Sequence, residues 1–385
     1  MPESEEKPLV VIRSLVYNHE PYLRDCLEGF VMQQTTFPFV AVVHDDCSTD
    51  GSAAIIREYA EKYPHIIKPV YETENQYSKH DGSLHRAMDE ACGKYGAKYI
   101  ALCEGDDYWT DPHKLQKQVD FLETHPDYTM VCCNCVVEMA DKKLTTHKDF
   151  VEAGWTHVDG DRDISTEELI ECMGRMGHTA GLVYRSSILQ LIPQATMKCP
   201  NGDFRLQITA ALAGKVHHMN DCMFLYRFMT PGSWNDRNKR FHGEKALYDF
   251  MSSFINMLDI FNEASKGKYE HSFNKAQESL ILWKMNQFPD AAAFILKHFG
   301  YVLEFKRVLS YRPLNYGALI RFLLRACYYP YYPFLTVRAL VNAAIRPFYK
   351  VTGNKRTFHI GPLNICSIVE SDSSPQVYIL GKVTR

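Results

Sequence analysis

Four short apolar runs punctuate the first 103 residues, and the stretches between them carry apolar residues at helical spacing. Pro8-Leu9-Val10-Val11-Ile12, Phe39 to Val43, Ile66 to Tyr71 and Tyr99 to Cys103 read as strands. Leu23, Cys26, Leu27, Phe30 and Val31, then Ile55, Ile56 and Tyr59, then Leu84, Ala87, Met88 and Ala91 mark three helices with one apolar face each. Continuous apolar strands alternating with helices imply a mostly parallel sheet covered on both faces, an α/β fold. Right-handed crossovers then bring the carboxyl ends of the strands to one edge, where open α/β sheets bind ligands.

Acidic clusters sit at those ends. Asp45 and Asp46 follow the second strand, and Glu104, Asp106 and Asp107 follow the fourth. So many carboxylates in one crevice repel each other unless a cation compensates them. Mg²⁺ or Mn²⁺ does so with one or two carboxylates, completing its shell from water and phosphate. Glu104-x-Asp106-Asp107 offers two or three oxygens from a tight turn, and a metal there would bridge the oxygens of a diphosphate. Capping of the turn before Trp109-Thr110-Asp111-Pro112 is the bland use of the same residues.

Size and charge narrow the classes. A chain of 385 residues has room for two or three units. Its 46% apolar and 23% charged residues are those of a globular protein, and a net charge of −3 excludes a uniformly basic nucleic-acid binder. Met1 to Pro8 shows no secretory pattern, and 12 scattered cysteines suit a reducing cytoplasm. Cys132-x-x-Cys135 lies in a run that reads as a buried strand, with no second pair to complete a zinc site. No run of about 18 apolar residues is present to span a bilayer. No G-x-G-x-x-G follows the first strand, which argues against a dinucleotide oxidoreductase.

Several ordered motifs resemble family 2 of the inverting glycosyltransferases, whose nucleotide-sugar-binding fold is called GT-A. They are Val11 to Asn18 (V-I-R-S-L-V-Y-N), Asp45 to Ser52 (D-D-C-S-T-D-G-S), Gly93 to Trp109 ending in E-G-D-D-Y-W, and Asn201-Gly202-Asp203-Phe204. The resemblance covers about residues 8 to 240. Two departures stand out: Cys47 replaces the family's usual glycine, and Glu104 replaces the commoner aspartate.

The resemblance implies that Asp45 or Asp46 accepts a hydrogen bond from a uracil-type base and that Ser14 and Asn18 frame the nucleotide. Arg86 would face the diphosphate, where a guanidinium suits phosphate oxygens. Glu104, Asp106 and Asp107 would hold a divalent Mn or Mg ion at the nucleotide-sugar, and Asp203 would be the general base that deprotonates the acceptor hydroxyl. Each has a structural alternative: turn chemistry for Ser14 and Asn18, a solvated helix residue for Arg86, and a helix-start position or a pair with Arg205 for Asp203.

Further along, Ser165-Thr166-Glu167-Glu168 is a capping-box pattern, and Gly177 to Arg185 reads as a loop and strand lining the acceptor side. His178 is read as structural, His217-His218 as opposite faces of a strand, and Trp234 as either a sugar platform or core. After residue 240 the pattern turns helical. Residues 291–360 carry eleven Lys and Arg against one acid, Glu304, a net +10 that leaves −13 elsewhere. Leu319 to Phe334 interleaves Arg321 and Arg325 with Leu, Phe and Tyr, the composition of a helix lying in a lipid headgroup layer or packing on its own domain.

The expectation is a GT-A catalytic domain over 1–240, a helical and partly basic extension over 241–357, and a tail over 358–385 without an assigned role. The chain would move a sugar from a nucleotide-diphosphate donor, UDP before GDP or dTDP, to a hydroxyl of a glycan or lipid-linked acceptor. It would work in the cytoplasm, peripherally on the inner membrane face through residues 300–350, without nucleic acid. The rivals are a catalytically inactive nucleotide-sugar-binding protein and a nucleotidyltransferase.

Overall fold

The computed structural model describes residues 7–79, 81–146, 158–197, 199, 201–230, 243–288 and 291–299, and five short strands between 349 and 384. The chain divides into two compact units, 1–277 and 278–385.

In the first unit β1 (Val10–Val16), β2 (Phe39–Asp45), β3 (Ile67–Tyr71) and β4 (Tyr99–Leu102) run parallel in the order β3-β2-β1-β4. Both faces of β1 are buried. Val10 and Ile12 meet the larger core, whereas Val11 points with Val40 and Val42 to a second cluster on the opposite face. The helices divide between these faces. α1 (Leu23–Val31), α2 (Ser52–Lys62) and α4 (Lys114–Thr124) cover the first, and α3 (Ser83–Gly93) covers the second with Met88, Ala91 and Cys92.

Beyond β4 the sheet becomes mixed. The order continues through β9 (Val183–Arg185), β6 (Tyr128–Glu138), β10 (Lys215–Arg227) and β5 (Tyr108–Trp109), while β7 (Leu144–Thr146) pairs β6 and β8 (Arg162–Ile164) pairs β10. Cys132, Cys133 and Cys135 are buried in β6, so the C-x-x-C is strand, as expected. His217 and His218 fall on β10, His218 buried and His217 bonded to Asp163. The expected capping box opens α5 (Thr166–Glu171), with Ser165 and Glu168 bonding each other's backbone N–H.

α1 locks onto the far edge of the sheet. Phe30 is fully buried edge-on to Trp109, centroids 5.1 Å apart, a contact that with its burial stabilises by about 2–3 kcal/mol. Gly29 permits this approach, because a Cβ there would lie 2.9 Å from the Trp109 backbone nitrogen. α6 (Gly202–Ala213) is buried on most sides, and α7 (Glu244–Ala264) stacks Phe254 against Phe204. Helices α8 (Glu270–Gln287) and α9 (Ala292–Phe299) follow.

In the second unit β11 (Tyr349–Thr352), β12 (Lys355–Ile360), β13 (Leu363–Val369), β14 (Gln376–Ile379) and β15 (Lys382–Thr384) form an antiparallel meander. Helix expected through 357 thus gives way to strand at Tyr349. Alternation in runs such as Gln376–Ile379 has the period of a sheet, not of a helix. The basic segment 300–348 and the segment containing Trp234 lie outside the described residues. No helix among the described residues is long and apolar enough to cross a membrane.

Candidate active site at the carboxyl edge of the sheet

Two loops, after β1 and after β2, are stitched together. The Asn18 N–H donates to Ser48 Oγ and the Thr49 N–H to Asn18 Oδ1; the Glu20 N–H donates to Asp50 Oδ2 and the Gly51 N–H to Glu20 Oε2. Asn18 has φ 58° and Cys47 φ 63°, both in the left-handed region. Asparagine tolerates that region well, whereas cysteine sits there at a cost. A glycine at position 47 would adopt that backbone without the cost.

Asp45 and Asp46 are both buried but not equivalent. Asp46 Oδ1 accepts the Gln76 N–H at 2.7 Å and Oδ2 the Tyr77 N–H at 3.0 Å, so this carboxylate latches the segment after β3. Asp45 has a single weak bond at 3.4 Å from the Ser48 N–H. His44, fully buried, reaches Glu72, which in turn accepts from Gln76 and braces the same segment.

The E-G-D-D turn follows β4. Gly105 is closely packed, since a Cβ there would lie 2.8 Å from His19 Nδ1 and 3.0 Å from Val16 Cγ2, and both side chains would have to give. Glu104 is exposed, Asp106 half-buried and Asp107 buried. Burial pushes the Asp107 carboxyl well above its usual range, reinforced by the charge of Asp106, and the Arg227 N–H opposes that shift with a 2.9 Å bond. The Arg227 side chain, itself buried, donates to the Asp106 carbonyl at 2.9 Å and to Asp25 at 2.5 Å, lying over the rings of Tyr22 and Tyr108. Among the described residues no three His, Cys, Asp or Glu side chains are arranged to hold an ion. Glu104, Asp106 and Asp107 thus form no three-carboxylate cage, because Asp107 turns inward to Arg227 while Glu104 faces solvent.

Asp203 begins α6, half-buried, with Oδ1 on the Phe204 N–H. Burial raises its carboxyl, an effect partly offset by that N–H, by Arg205 and by the Thr179 hydroxyl. The loop carrying Thr179 is pinned from below, where Trp109 Nε1 donates to the Ala180 carbonyl and Gln118 to that of Gly181. Tyr226 lies one residue before the end of β10. Burial raises its hydroxyl strongly, and the charges of Asp107, Asp106 and Asp203 all add to that shift. His178 packs tilted against this tyrosine, ring centroids 4.3 Å apart.

Other expected residues are placed differently. Ser14 is inside β1 rather than on the turn, fully buried, because the strand continues to Val16. Arg86 is exposed on α3 and folds back to Asp81, by its carbonyl at 2.8 Å and its carboxylate at 3.6 Å. Arg205 turns to the carbonyls of Thr196 and Cys199 rather than pairing with Asp203. The supporting role of Arg227 was not legible in sequence. Its signal was its placement at the end of the strand that closes on the E-G-D-D turn.

Known proteins resemble this chain in sequence and fold. The family described as Glycosyl transferase family 2 matches residues 14–190. An uncharacterized protein of Mycobacterium tuberculosis is 33% identical over 253 residues, 63% of this chain and 68% of that protein. A Bacillus subtilis protein named as glycosyltransferase EpsE is 34% identical over 124 residues, 32% of this chain and 42% of that protein. Residues 1–349 of S. aureus TarS, solved in complex with UDP, superpose with a TM-score of 0.55 at 13% identity, over 92% of this chain and 97% of that one.

Proposed function

Since the chain belongs to glycosyltransferase family 2 and has the GT-A fold, we propose that it transfers a sugar, with inversion, from a UDP-linked donor to a hydroxyl of a glycan or lipid-linked acceptor. The observation that supports this reading is the gathering of acids after the strands of the sheet, Asp45 and Asp46 after β2 and Asp106 and Asp107 after β4, with the half-buried Asp203 opening α6. UDP is favoured by the fold's likeness to TarS, which was solved with that nucleotide.

Asp203 accepts the proton of the acceptor hydroxyl as its oxygen attacks the anomeric carbon from the face opposite the nucleotide. A carboxylate made more basic by burial is better matched to that proton transfer near neutral pH. Asp45, the less engaged of its pair, accepts from the base N–H, while Asp46 shapes the pocket through residues 76 and 77. Asn18 holds the loop beneath the nucleotide, and Ser14 lies in the strand under it.

A divalent Mn or Mg ion of the kind that takes few protein ligands would be held by Asp106, because Asp107 turns inward to the Arg227 N–H. The Arg227 side chain is itself spent on Asp25 and the Asp106 carbonyl. Such an ion would neutralise charge on the departing diphosphate. Arg86, now paired with Asp81, would have to swing to reach a phosphate.

The basic stretch 291–360 supports peripheral attachment to anionic lipid near a lipid-linked acceptor. Co-sedimentation with anionic vesicles that survives deletion of 300–385 would refute that attachment.

The central experiment incubates the chain with UDP-sugars and Mn²⁺ and identifies the products. Release of UDP is expected, and Asp203→Asn should abolish turnover while keeping UDP binding. Pyrophosphate release would instead indicate a nucleotidyltransferase, and UDP binding with no turnover an inactive binding protein.

A further inference from the structure

A second polar cluster lies on the α3 face of the sheet, away from the acid pairs. Arg13 on β1, His85 and Asp89 on α3 and Arg205 on α6 line one cavity, closed on its other side by apolar residues that include Ile192 and Met197. The space enclosed is about 10 Å³, room for one oxygen-sized atom.

Its charges do not balance. Arg13 sits 3.5 Å from Asp89, which is itself 38% exposed. Arg205 is 3% exposed, and its Nη1 bonds go to the carbonyls of Thr196 at 3.1 Å and Cys199 at 3.5 Å, with no carboxylate among them. The Nε of Arg13 and the Nε of Arg205 are both buried without an acceptor. His85 Nδ1 lies 3.4 Å from Arg13 Nη2, and burial together with the two guanidiniums keeps its ring neutral, its pKa pushed down to about 3. Two guanidiniums that share one partly exposed carboxylate, Asp89, with Asp203 acting on Arg205 through space rather than by a bond, are a costly arrangement for a protein interior unless a further anion arrives.

The cavity also abuts the proposed base. A Cβ on Gly202 would lie 3.1 Å from His85 Cε1 and 3.5 Å from Arg205 Nη2, so the peptide leading into Asp203 rests on this cluster.

We propose that the pocket formed by Arg13, His85 and Arg205 recognises an oxyanion, a carboxylate or phosphate group carried by a substrate, and seats it beside Asp203. One charged oxygen enters the cavity, and the rest of the sugar stays outside. The proposal rests on the transferase reading and narrows its substrate class to sugars that carry an acidic group. The acidic group can belong to the donor or to the acceptor.

The test uses the full chain. Thermal unfolding and calorimetry are run with sodium phosphate and sodium acetate against sodium chloride at equal ionic strength, on wild type, Arg205→Gln and Arg13→Gln. Arg205→Lys, which keeps the charge, guards against a folding defect, and far-UV circular dichroism checks each variant. Phosphate should raise the wild-type melting temperature and bind at least tenfold more weakly to both Gln variants, with Arg205→Lys between.

Two further arms separate the sources. UDP-glucuronic acid is compared with UDP-glucose for displacing UDP, and a glucuronate-terminated disaccharide with a glucose-terminated one for direct binding. Preference for the acidic partner in either arm, lost in Arg205→Gln, supports the proposal and names the source. No phosphate effect in wild type, or an equal effect in the folded Gln variants, overturns it and leaves Arg205 a tether for two carbonyls. Failure of the wild type to bind UDP at all would overturn the transferase reading separately.

Discussion

Arg227→Ala should loosen the turn that presents Asp106 and destabilise the fold by about 3 kcal/mol. Three losses make up that figure. The guanidinium bond to the Asp106 carbonyl, a charged donor in a partly buried place, contributes about 1.5–2 kcal/mol. Its stacking over Tyr108 at 4.7 Å and Tyr22 at 5.0 Å contributes about 1 kcal/mol more. Asp25 is 56% exposed and returns to water, so its pair contributes little, about 0–1 kcal/mol. Glu138 keeps Lys142 at 2.8 Å, so no carboxylate is stranded. The unfolding constant should rise about a hundredfold, read by urea unfolding with circular dichroism. Arg227→Lys should recover the charge but not the fork, leaving a deficit of about 1–2 kcal/mol. The Arg227 N–H on Asp107 survives both changes, so Mn²⁺-dependent UDP binding should weaken without vanishing. Stability within about 0.5 kcal/mol of wild type for Arg227→Ala would refute the claim that this side chain holds the turn.

Gly29→Ala drives a methyl into the Trp109 backbone and should cost about 1–3 kcal/mol in urea unfolding; an unchanged midpoint would mean that α1 is free to shift. Cys47→Gly relieves a left-handed backbone and should stabilise by about 0.5–1 kcal/mol without loss of UDP binding, measured by melting temperature and calorimetry. His85 stays neutral in the folded chain down to about pH 3, because burial and the two arginines disfavour its charge. Below its ordinary pKa the unfolded chain takes up a proton that the folded chain refuses, so stability falls as pH drops. The loss should be about 1–2 kcal/mol between pH 7 and 5. His85→Asn should flatten that part of the pH–stability curve, and an unchanged slope would place its cause elsewhere. Asp46→Ala frees the N–H groups of Gln76 and Tyr77 and should speed amide exchange over residues 75–79 before it affects global stability.

The strands at Val10, Phe39, Ile67 and Tyr99, and the helices between them, were readable because their apolar spacing is a local property of the chain. So was the placement of Asp45, Asp46, Asp106 and Asp107 at one edge, which follows once crossovers are right-handed. The division of labour within each pair was not readable. Asp46 is committed by amides 30 residues away, and Asp107 by an amide 120 residues away. Arg86 fitted a phosphate role by position, yet its own helix start supplies Asp81 as a nearer partner. Ser14 looked like a turn residue because small polar side chains favour turns, but the strand simply runs through it.

The sequence alone therefore determined the α/β architecture, the family, and the edge at which chemistry is concentrated, since periodicity and motif order need no knowledge of distant contacts. Tertiary structure alone decided which carboxylates are spent on the scaffold and which remain for a ligand. It also brought Arg13 and Arg205, 192 positions apart, into one under-compensated pocket. The physical reason is that hydrogen bonds and burial are set by neighbours in space, and the energy of a charge depends on those neighbours far more than on the residue itself.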